Sequence, residues 1–229
     1  MSELRTNFRT ALNDLEVLLM DMAERAERQI IEAVDALASS DARRAAEVRL
    51  QDREIDDLYL EVERRWHEVM AQHTPVAGDL RFMSLILNCS HSIERIGDQA
   101  ANIARLTEVT VGLPTRETIL LHIREMASVV GPMLRVAMES LTKRDLSLAL
   151  RLPEMDDPVD RLNRNMYKEV AACADDADRL EWAVRMMLVS RALERVGDRA
   201  VDIGEQVAFL LTGEFREFPE GWSGPYETS

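Results

Sequence analysis

Apolar residues recur at intervals of three and four along most of this chain, the spacing that places side chains on one face of an α-helix. The first run predicts a helix from about Phe8 to Ala38, and the third predicts one from about Gly78 to Thr107. A second run lies between them. The apolar positions of the first two runs are Leu12, Leu15, Leu19, Met22, Ala26, Ile30, Val34 and Leu37, then Leu50, Ile55, Leu58, Val62, Trp66 and Val69. The pattern predicts an all-α protein.

Short polar and proline residues mark the expected helix ends. Asp41 and Asp145 are predicted N-caps, because an aspartate side chain accepts a hydrogen bond from a free N–H of the first turn. Thr74 and Pro75 are predicted to open the third helix, since proline at the first helical position has no N–H to leave unpaired. Residues 112–114 are predicted to link this helix to the next.

The chain contains the same pattern twice. Residues 94–103 recur as residues 194–203, at an offset of 100 and without a gap. Upstream, residues 52–58 recur as residues 156–162, at an offset of 104. The offset changes at about residues 72–78, in a predicted turn, where an insertion is well tolerated. Several collinear matches of this kind indicate a duplication.

Helices joined by short turns run antiparallel, so each copy is predicted to be an up-down-up bundle. The fold class is therefore all-α, a tandem repeat of two three-helix bundles with six helices in all. We expect the first bundle within residues 1–110 and the second within residues 111–212. The tail, residues 213–229, is predicted to be irregular, with Trp222 or Tyr226 as the residues that would order it.

Charge and cysteine content narrow the class of function. The formal net charge is −14 and the isoelectric point is near 4.8. This weighs against nucleic acid as a partner and favours cations or basic protein surfaces. Cys89 and Cys173 lie within helical patterns and are predicted to be buried thiols of a reducing compartment. With no signal peptide and no long apolar run, we expect a soluble, cytoplasmic protein that meets a membrane only through partners.

Acidic side chains at four-residue spacing are the residues predicted to carry chemistry. Such side chains stack on one helix face and repel each other, and a divalent cation such as Mg²⁺ or Mn²⁺ would relieve the repulsion. The third helices carry Glu94, Asp98 and Asn102, and Glu194, Asp198 and Asp202, with Glu205 near the second row. The second helices add Asp52 and Asp56, and Asp156 and Asp160. The alternative interpretation is a set of solvated faces whose charge is relieved by Arg95, Arg195 and Arg199.

The angular position of these acids on the helix predicts how deeply they lie. With Glu94 as the reference, Ile93, Gly97 and Ala100 fall roughly 60° to 120° away, so the acids should flank the buried stripe. A glycine inside a helix is destabilising by about 0.5–1 kcal/mol relative to alanine. Its presence at both Gly97 and Gly197 predicts a close helix approach beside the acids.

The sequence contains no recognised catalytic arrangement. A ferritin-like di-iron centre needs Glu-x-x-His on two helices, and none of the four histidines has a glutamate three residues before it. There is no glycine-rich phosphate loop and no Ser/His/Asp or Cys/His set, so we expect no enzymatic activity. His91, one turn before Glu94, is a candidate additional metal ligand, although its counterpart Arg191 cannot coordinate a metal.

Two motifs in the first copy resemble the PhoU family closely. They are Pro75-x-Ala77-x-Asp79-Leu80-Arg81 and Ile93-Glu94-Arg95-Ile96-Gly97-Asp98-x-Ala100-x-Asn102-Ile103-Ala104. The tandem copy and residues 212–214 (Thr-Gly-Glu) extend the resemblance over nearly the whole chain. Two departures stand out: residues 178–181 replace the Asp-Leu-Arg turn in the second copy, and Phe215-Arg216-Glu217 replaces an Arg-His pair.

The resemblance implies an adaptor of phosphate signalling. Such proteins link the ATPase of the high-affinity phosphate ABC transporter to a sensor histidine kinase, and keep the phosphate-starvation regulon off when phosphate is plentiful. Members often form homodimers and bind metal ions, here divalent or transition ions such as Mg, Mn, Zn or Fe, with none obligatory. The implied metal positions are Asp52, Asp56, Glu94, Asp98, Asn102, Asp156, Asp160, Glu194, Asp198 and Asp202.

Asn102 gives the first copy one carboxylate fewer than Asp202 gives the second, so the first site should hold a cation more weakly. Two other functions remain open from the sequence. One is a PhoU-like regulator of another transporter or channel. The other is a metal-carboxylate enzyme or storage protein, against which the absent Glu-x-x-His pairs and the lack of a buried set of acids argue.

Overall fold

The computed structural model describes the backbone of residues 3–218 and the side chains of residues 6–218. This part of the chain contains helices and no strand. The helices are α1 (Glu3–Ala38), α2 (Ala42–Gln72), α3 (Gly78–Glu108), α4 (Glu117–Lys143), α5 (Leu146–Ala149), α6 (Leu152–Ala171) and α7 (Ala177–Thr212). The predicted all-α class is confirmed. None of these helices combines the length and the apolar character needed to cross a bilayer.

The helices form two bundles that share one core. α1, α2 and α3 pack on one another, and α4, α6 and α7 do the same. α3 packs against α7 and α1 against α4, so the buried apolar cluster runs through both bundles. Asn88 Nδ2 on α3 donates to Gln206 Oε1 on α7 at 2.9 Å, and Arg135 on α4 pairs with Glu27 on α1. The tandem repeat of three-helix bundles is thus the observed fold.

The N-caps are found at both predicted positions. Asp41 Oδ1 accepts a hydrogen bond from the backbone N–H of Arg44 at 3.0 Å, and Asp145 Oδ1 accepts one from Ser147 at 2.8 Å. Both aspartates have extended backbone, as an N-cap residue does. Cys89 and Cys173 are buried free thiols, as predicted.

The prediction that Thr74 and Pro75 open the third helix is wrong. Residues 73–76 are not helical, and α3 begins at Gly78. Ala77 has φ +47°, a backbone conformation that no α-helix contains, so the helix starts only after it. The first helix also begins earlier than expected, at Glu3 rather than Phe8.

The second copy contains four helical segments where the sequence pattern predicts three. Its middle helix breaks between α5 and α6, at residues 150 and 151. Pro153 explains the break, because it has no N–H to donate to the carbonyl of Ala149, the bond that a continuous helix would need. Arg49 occupies the equivalent position in the first copy, where α2 is continuous.

The break brings the backbone of the α5–α6 junction close to α7 at Gly204. A Cβ atom on Gly204 would lie 2.5 Å from Leu152 Cδ1 and 3.2 Å from the carbonyl oxygen of Ala149. The equivalent residue of the first copy is Ala104, which is fully buried beside the unbroken α2. Gly204 therefore accompanies the helix break, because it leaves room for the backbone and side chain that the break brings close to α7.

The chain after α7 folds back along that helix. Gly213, with φ +80°, ends α7, and residues 214–218 contain no helix or strand. Phe218 is buried, and its backbone N–H donates to Glu205 Oε1 at 2.6 Å. Trp222 and Tyr226, the residues predicted to order the tail, lie outside the described residues.

The close approach at Gly204 predicts the cost of a methyl group there. We expect Gly204→Ala to lower the free energy of unfolding by about 1–3 kcal/mol, because Leu152 and the α5–α6 backbone must move. Gly78→Ala is the matched control: nothing lies within 4 Å of its added Cβ, and alanine is the better helix former. Urea denaturation of both variants measures the difference. Equal effects of the two substitutions would contradict the packing described.

Candidate metal sites

The acids of each copy lie where its second and third helices face each other. In the first copy, Asp98 on α3 is close enough to raise the pKa values of Asp52 and Asp56 on α2. In both aspartates the larger cause is burial. We call the group Asp52, Asp56, Glu94 and Asp98 the first acid cluster, and the group Asp156, Asp160, Glu194 and Asp198 the second acid cluster.

The two glycines predicted to mark a close approach do so. A Cβ atom on Gly197 would overlap the carboxylate of Asp156, and one on Gly97 would lie 3.1 Å from Asp52 Oδ1. Each aspartate therefore rests against the backbone of the facing third helix, at the one position of that turn without a side chain. The close approach that the sequence predicted is found in both copies, and it is tighter in the second.

The expectation that all the acids flank the buried stripe is wrong for two members of the second acid cluster. Asp156 is only 9 % exposed and Glu194 only 8 % exposed, whereas Asp198 is exposed. An angular projection compares a residue only with the core side of its own helix, whereas here a second helix covers these two carboxylates. The supposed lack of a buried set of acids, used above against a metal-carboxylate protein, does not hold either.

Several buried carboxylate oxygens have no hydrogen bond. They are Asp156 Oδ1 and Glu194 Oε2 in the second copy and Glu94 Oε2 in the first, where Arg95 Nε lies 3.4 Å away without hydrogen-bond geometry. A buried polar atom without a partner is costly, and more so when it carries charge. The clusters thus contain buried carboxylate oxygens that would be stabilised by binding a proton or a cation.

The pKa values follow from this burial. Loss of water, together with the neighbouring charges of Asp160 and Asp198, raises the pKa of Asp156 to about 8. Burial also raises the pKa values of Glu194 and Asp198, with other carboxylates as a second cause in each case. Asp156, Glu194 and Asp198 consequently hold protons more tightly than isolated carboxylates do.

A buried amide distinguishes the first copy. Gln29 on α1 is 2 % exposed, and its Nε2 donates to the carbonyl of Val48 at 3.2 Å and to Asp52 Oδ1 at 3.4 Å. At an offset of 104 the second copy has Met133, which is fully buried and has no N–H to offer. Asp52 therefore has a hydrogen-bond donor that Asp156 lacks. The replacement of Gln29 by Met133 can be found in the sequence by applying the offset of 104, but sequence reasoning missed it.

Two further positions make the second copy more acidic. Asn102 corresponds to Asp202, and Arg105 corresponds to Glu205. Arg105 Nη1 lies 3.4 Å from Asn102 Oδ1, so the first copy has an amide and a cation where the second has two carboxylates. The pKa of Glu205 is raised to about 6: burial is the largest cause, the hydrogen bond from the Phe218 N–H opposes it, and the charge of Asp202 adds to it.

The carboxylates of the second copy line a cleft of about 430 Å³ between α6 and α7. Phe218 from the returning tail and Pro153 from the start of α6 form its apolar edges. Sequence reasoning missed Asp157 and Phe218 as members of this cleft. The acids that line it are Asp156, Asp157, Asp160, Glu194, Asp198, Asp202 and Glu205.

Arginines neutralise part of this charge, as the solvated-face interpretation requires. Arg95 Nη1 lies 3.0 Å from Asp98 Oδ2, and Arg199 Nη1 lies 2.7 Å from Asp202 Oδ2. Arg195, which that interpretation also invoked, forms no ion pair within the described residues. Within residues 6–218, no three His, Cys, Asp or Glu side chains are already arranged around one metal position. The role of these acids as metal ligands stays a prediction.

Comparisons with known proteins agree with the repeat. The family model of the PhoU domain matches residues 19–107 and 123–207. The chain is 31 % identical, over 92 % of its length and 96 % of the relative, to the phosphate-specific transport system accessory protein PhoU homolog 1 of Methanothermobacter thermautotrophicus. It is also 32 % identical to the phosphate-specific transport system accessory protein PhoU homolog of Deinococcus radiodurans, over 92 % of this chain and 97 % of that relative.

Comparison of the fold with solved structures also identifies a PhoU protein. The crystal structure of PhoU from Pseudomonas aeruginosa superposes with a TM-score of 0.86 at 28 % identity, covering 90 % of this chain and 100 % of that one. Both copies of the repeat are matched, and both lie within the aligned length. The chain belongs to the PhoU family.

Proposed function

We propose that this protein is a non-enzymatic adaptor of phosphate signalling. It would bind the ATPase of a high-affinity phosphate ABC transporter and a sensor histidine kinase, and hold phosphate uptake and the starvation regulon down when phosphate is plentiful. The observation that supports this most is the match of both copies to the PhoU domain, together with relatives named as accessory proteins of phosphate-specific transport systems.

An adaptor needs no chemistry of its own. A protein that binds one conformation of its partner more tightly than another shifts the partner's populations by that difference in binding free energy. Long helices packed into a continuous core present rigid faces for such contacts. We place the protein in the cytoplasm, as a homodimer that reaches the membrane through its partners and binds no nucleic acid. A regulator of another transporter or channel is the second candidate function.

We further propose that divalent or transition metal ions bind at the two acid clusters, more tightly at the second. The residues fit such ions, because Asp156 Oδ1 and Glu194 Oε2 are buried oxygens without a hydrogen bond and several more carboxylates line the same cleft. Hard oxygen ligands of this kind suit Mg²⁺ and Mn²⁺, and Zn²⁺ or Fe are further candidates. The residues that would hold the ions are Asp156, Asp160, Glu194, Asp198 and Asp202, and in the first copy Asp52, Asp56, Glu94, Asp98 and Asn102.

A cation and a proton are alternative ways to neutralise the second acid cluster. The raised pKa of Asp156 reflects the cost of a bare negative charge in this cleft, and a bound metal ion would remove the same cost. The metal ion would supply positive charge. The chain positions the carboxylates: Gly197 leaves room for that of Asp156, and ion pairs with Arg191 and Arg199 orient those of Glu194 and Asp202.

Calorimetry with Mn²⁺ tests the metal proposal. Wild-type protein should bind Mn²⁺, and Asp198→Ala combined with Asp202→Ala should weaken the tighter binding about tenfold or more, since ligands are lost. Asp14→Ala combined with Asp175→Ala changes the net charge equally at two exposed positions and should leave binding unchanged. Equal binding by all three proteins would mean that the acids are solvated faces.

The pH dependence of stability tests the burial of Asp156 in metal-free protein. The folded state raises its pKa from 3.8 to about 8, so the folded state keeps a proton that the unfolded state releases. Its contribution to stability is therefore fully present below pH 3.8 and is lost as the pH rises through about 8. Relative to wild type, Asp156→Asn should become steadily more stable across this window.

Urea denaturation in EDTA at a series of pH values measures that difference. Asp175→Asn serves as the control, because it removes an exposed carboxylate elsewhere in the second copy. Its free energy of unfolding should follow the wild-type pH curve. A constant difference between Asp156→Asn and wild type at all pH values would show that Asp156 does not bind its proton more tightly in the folded state.

Deletion of the gene from its host tests the signalling proposal. With the transporter genes intact and phosphate plentiful, we expect derepression of phosphate-starvation genes, read as alkaline phosphatase activity and transporter transcripts. Reintroducing the wild-type chain should restore repression. Transcripts that stay at the wild-type level would favour the second candidate, a regulator of another transporter or channel.

A further inference from the structure

A basic groove lies along the contact between α3 and α7 and adjoins the acidic cleft, with which it shares Asp198 and Arg199. Its volume is about 560 Å³, and one carboxylate, Asp198, is among its lining residues. The other residues that line it are His91, Arg95 and Gln99 from α3, and Arg191, Arg195 and Arg199 from α7. We call these seven residues the arginine groove.

The arginine groove is built from equivalent positions of the two copies. Residues 91, 95 and 99 correspond to residues 191, 195 and 199 at the offset of 100. Within each helix the three positions are four residues apart, so they share one face and extend over roughly 12 Å. Asn88 on α3 contacts Gln206 on α7, and the earlier residue Arg81 lies beside the later residue Gly213, so the two helices run antiparallel. Their basic faces therefore meet along the groove.

The charge of the arginine groove opposes that of the chain. Aspartate and glutamate outnumber lysine and arginine by 42 to 28, so an arginine placed at random would find a carboxylate easily. Arg195 nevertheless forms no ion pair and no hydrogen bond within the described residues, although it lies near enough to lower the pKa of Glu194. Four guanidinium groups share this groove with one lining carboxylate, Asp198, so their mutual repulsion is only partly relieved there and a bound anion would relieve it further.

The other three arginines remain available to a ligand. Arg95, Arg191 and Arg199 each pair with an acid three residues further along their own helix. Pairs of this spacing on a helix surface are weak, and each guanidinium has five N–H donors, of which a carboxylate uses two at most. These arginines can therefore bind a second anion without first giving up their carboxylates.

We propose that the arginine groove binds a linear anion that carries several phosphoryl groups, such as an inorganic oligophosphate or a nucleoside triphosphate. The planar fork of arginine matches two oxygens of a phosphoryl group. A row of positions over roughly 12 Å is longer than one phosphate can span, so a single orthophosphate reaches only part of the groove. Gln99 and His91 add neutral or weakly basic donors at the α3 side.

Titration calorimetry with tripolyphosphate, in EDTA and at physiological salt, tests the proposal. Wild-type protein should bind tripolyphosphate, and orthophosphate should bind at least about tenfold more weakly because it contacts fewer arginines. Adenosine triphosphate forms a second arm. Tighter binding of the nucleotide would identify a nucleotide as the source of the phosphoryl chain, and equal or weaker binding would identify an inorganic oligophosphate.

Arg195→Ala is the decisive variant, because its side chain is exposed and has no partner whose loss would disturb the fold. Loss of its charge-assisted hydrogen bonds should weaken tripolyphosphate binding about tenfold. Arg124→Ala, at an exposed position on α4 outside the groove, removes the same charge and should bind like wild type. Circular dichroism of both variants should match that of the wild-type protein.

Three results would overturn the proposal. One is no binding of tripolyphosphate to wild-type protein. Another is that Arg195→Ala and Arg124→Ala weaken tripolyphosphate binding equally, which would show that the effect comes from net charge alone. The third is binding that requires added Mn²⁺ and is lost in the Asp198→Ala, Asp202→Ala variant but not in Arg195→Ala, which would place the anion on a metal ion. The metal proposal and the groove proposal can therefore fail separately.

Discussion

The packing of α3 against α7 determines where the charged groups of this protein lie. These two helices are the third helices of their bundles, and each uses different faces for different neighbours. One face meets the second helix of its own bundle, where the acids converge. Another meets the third helix of the other bundle, where the arginines converge. Because equivalent helices meet in antiparallel directions, positions near the middle of the contact are brought near their counterparts on the other helix.

Within each bundle, a missing side chain decides how close the second helix comes. Gly97 and Gly197 leave room for Asp52 and Asp156 to rest against the backbone of α3 and α7. The close approach removes the carboxylates from water, and burial is the largest cause of the raised pKa of both aspartates. A Cβ at Gly197 would displace the Asp156 carboxylate, and one at Gly97 would require Asp52 and Ile55 to shift by a few tenths of an ångström. The glycine on the third helix is thus the structural reason for the raised pKa of the facing aspartate.

The two copies share the three-helix arrangement but differ in electrostatics. Gln29 gives Asp52 a hydrogen-bond donor, whereas Met133 gives Asp156 none. Asp202 and Glu205 stand where the first copy has Asn102 and Arg105, so the second cleft has more negative charge and fewer donors. The helix break at Pro153 and the tail residue Phe218 close the edges of that cleft further. The buried aspartate of the first copy, Asp52, thus has a hydrogen-bond donor from the chain, whereas Asp156 Oδ1 in the second copy has none.

Much of this could be predicted from the sequence, because helical periodicity and a repeat offset are local patterns. They predicted the bundles, the caps Asp41 and Asp145, and the meeting of the acid rows. They could not predict the burial of Asp156, since burial depends on a helix distant in sequence. The start of α3 depended on the backbone angle of Ala77, which no pattern of polarity encodes. The arginine groove was visible as equivalent positions, but only the packing of α3 on α7 makes it a groove.

The acidic cleft and the arginine groove are not electrically independent. Arg199 lines the groove and also pairs with Asp202 in the cleft, and Asp198 lines both. If the two proposals hold, a cation beside Asp198 and Asp202 would weaken the pairing of Asp202 with Arg199 and leave more of the positive charge of Arg199 to the groove. Conversely, an anion bound in the groove would attract the Arg199 guanidinium and leave the cleft more negative. Each proposed ligand would then favour binding of the other, through a single helical turn of α7.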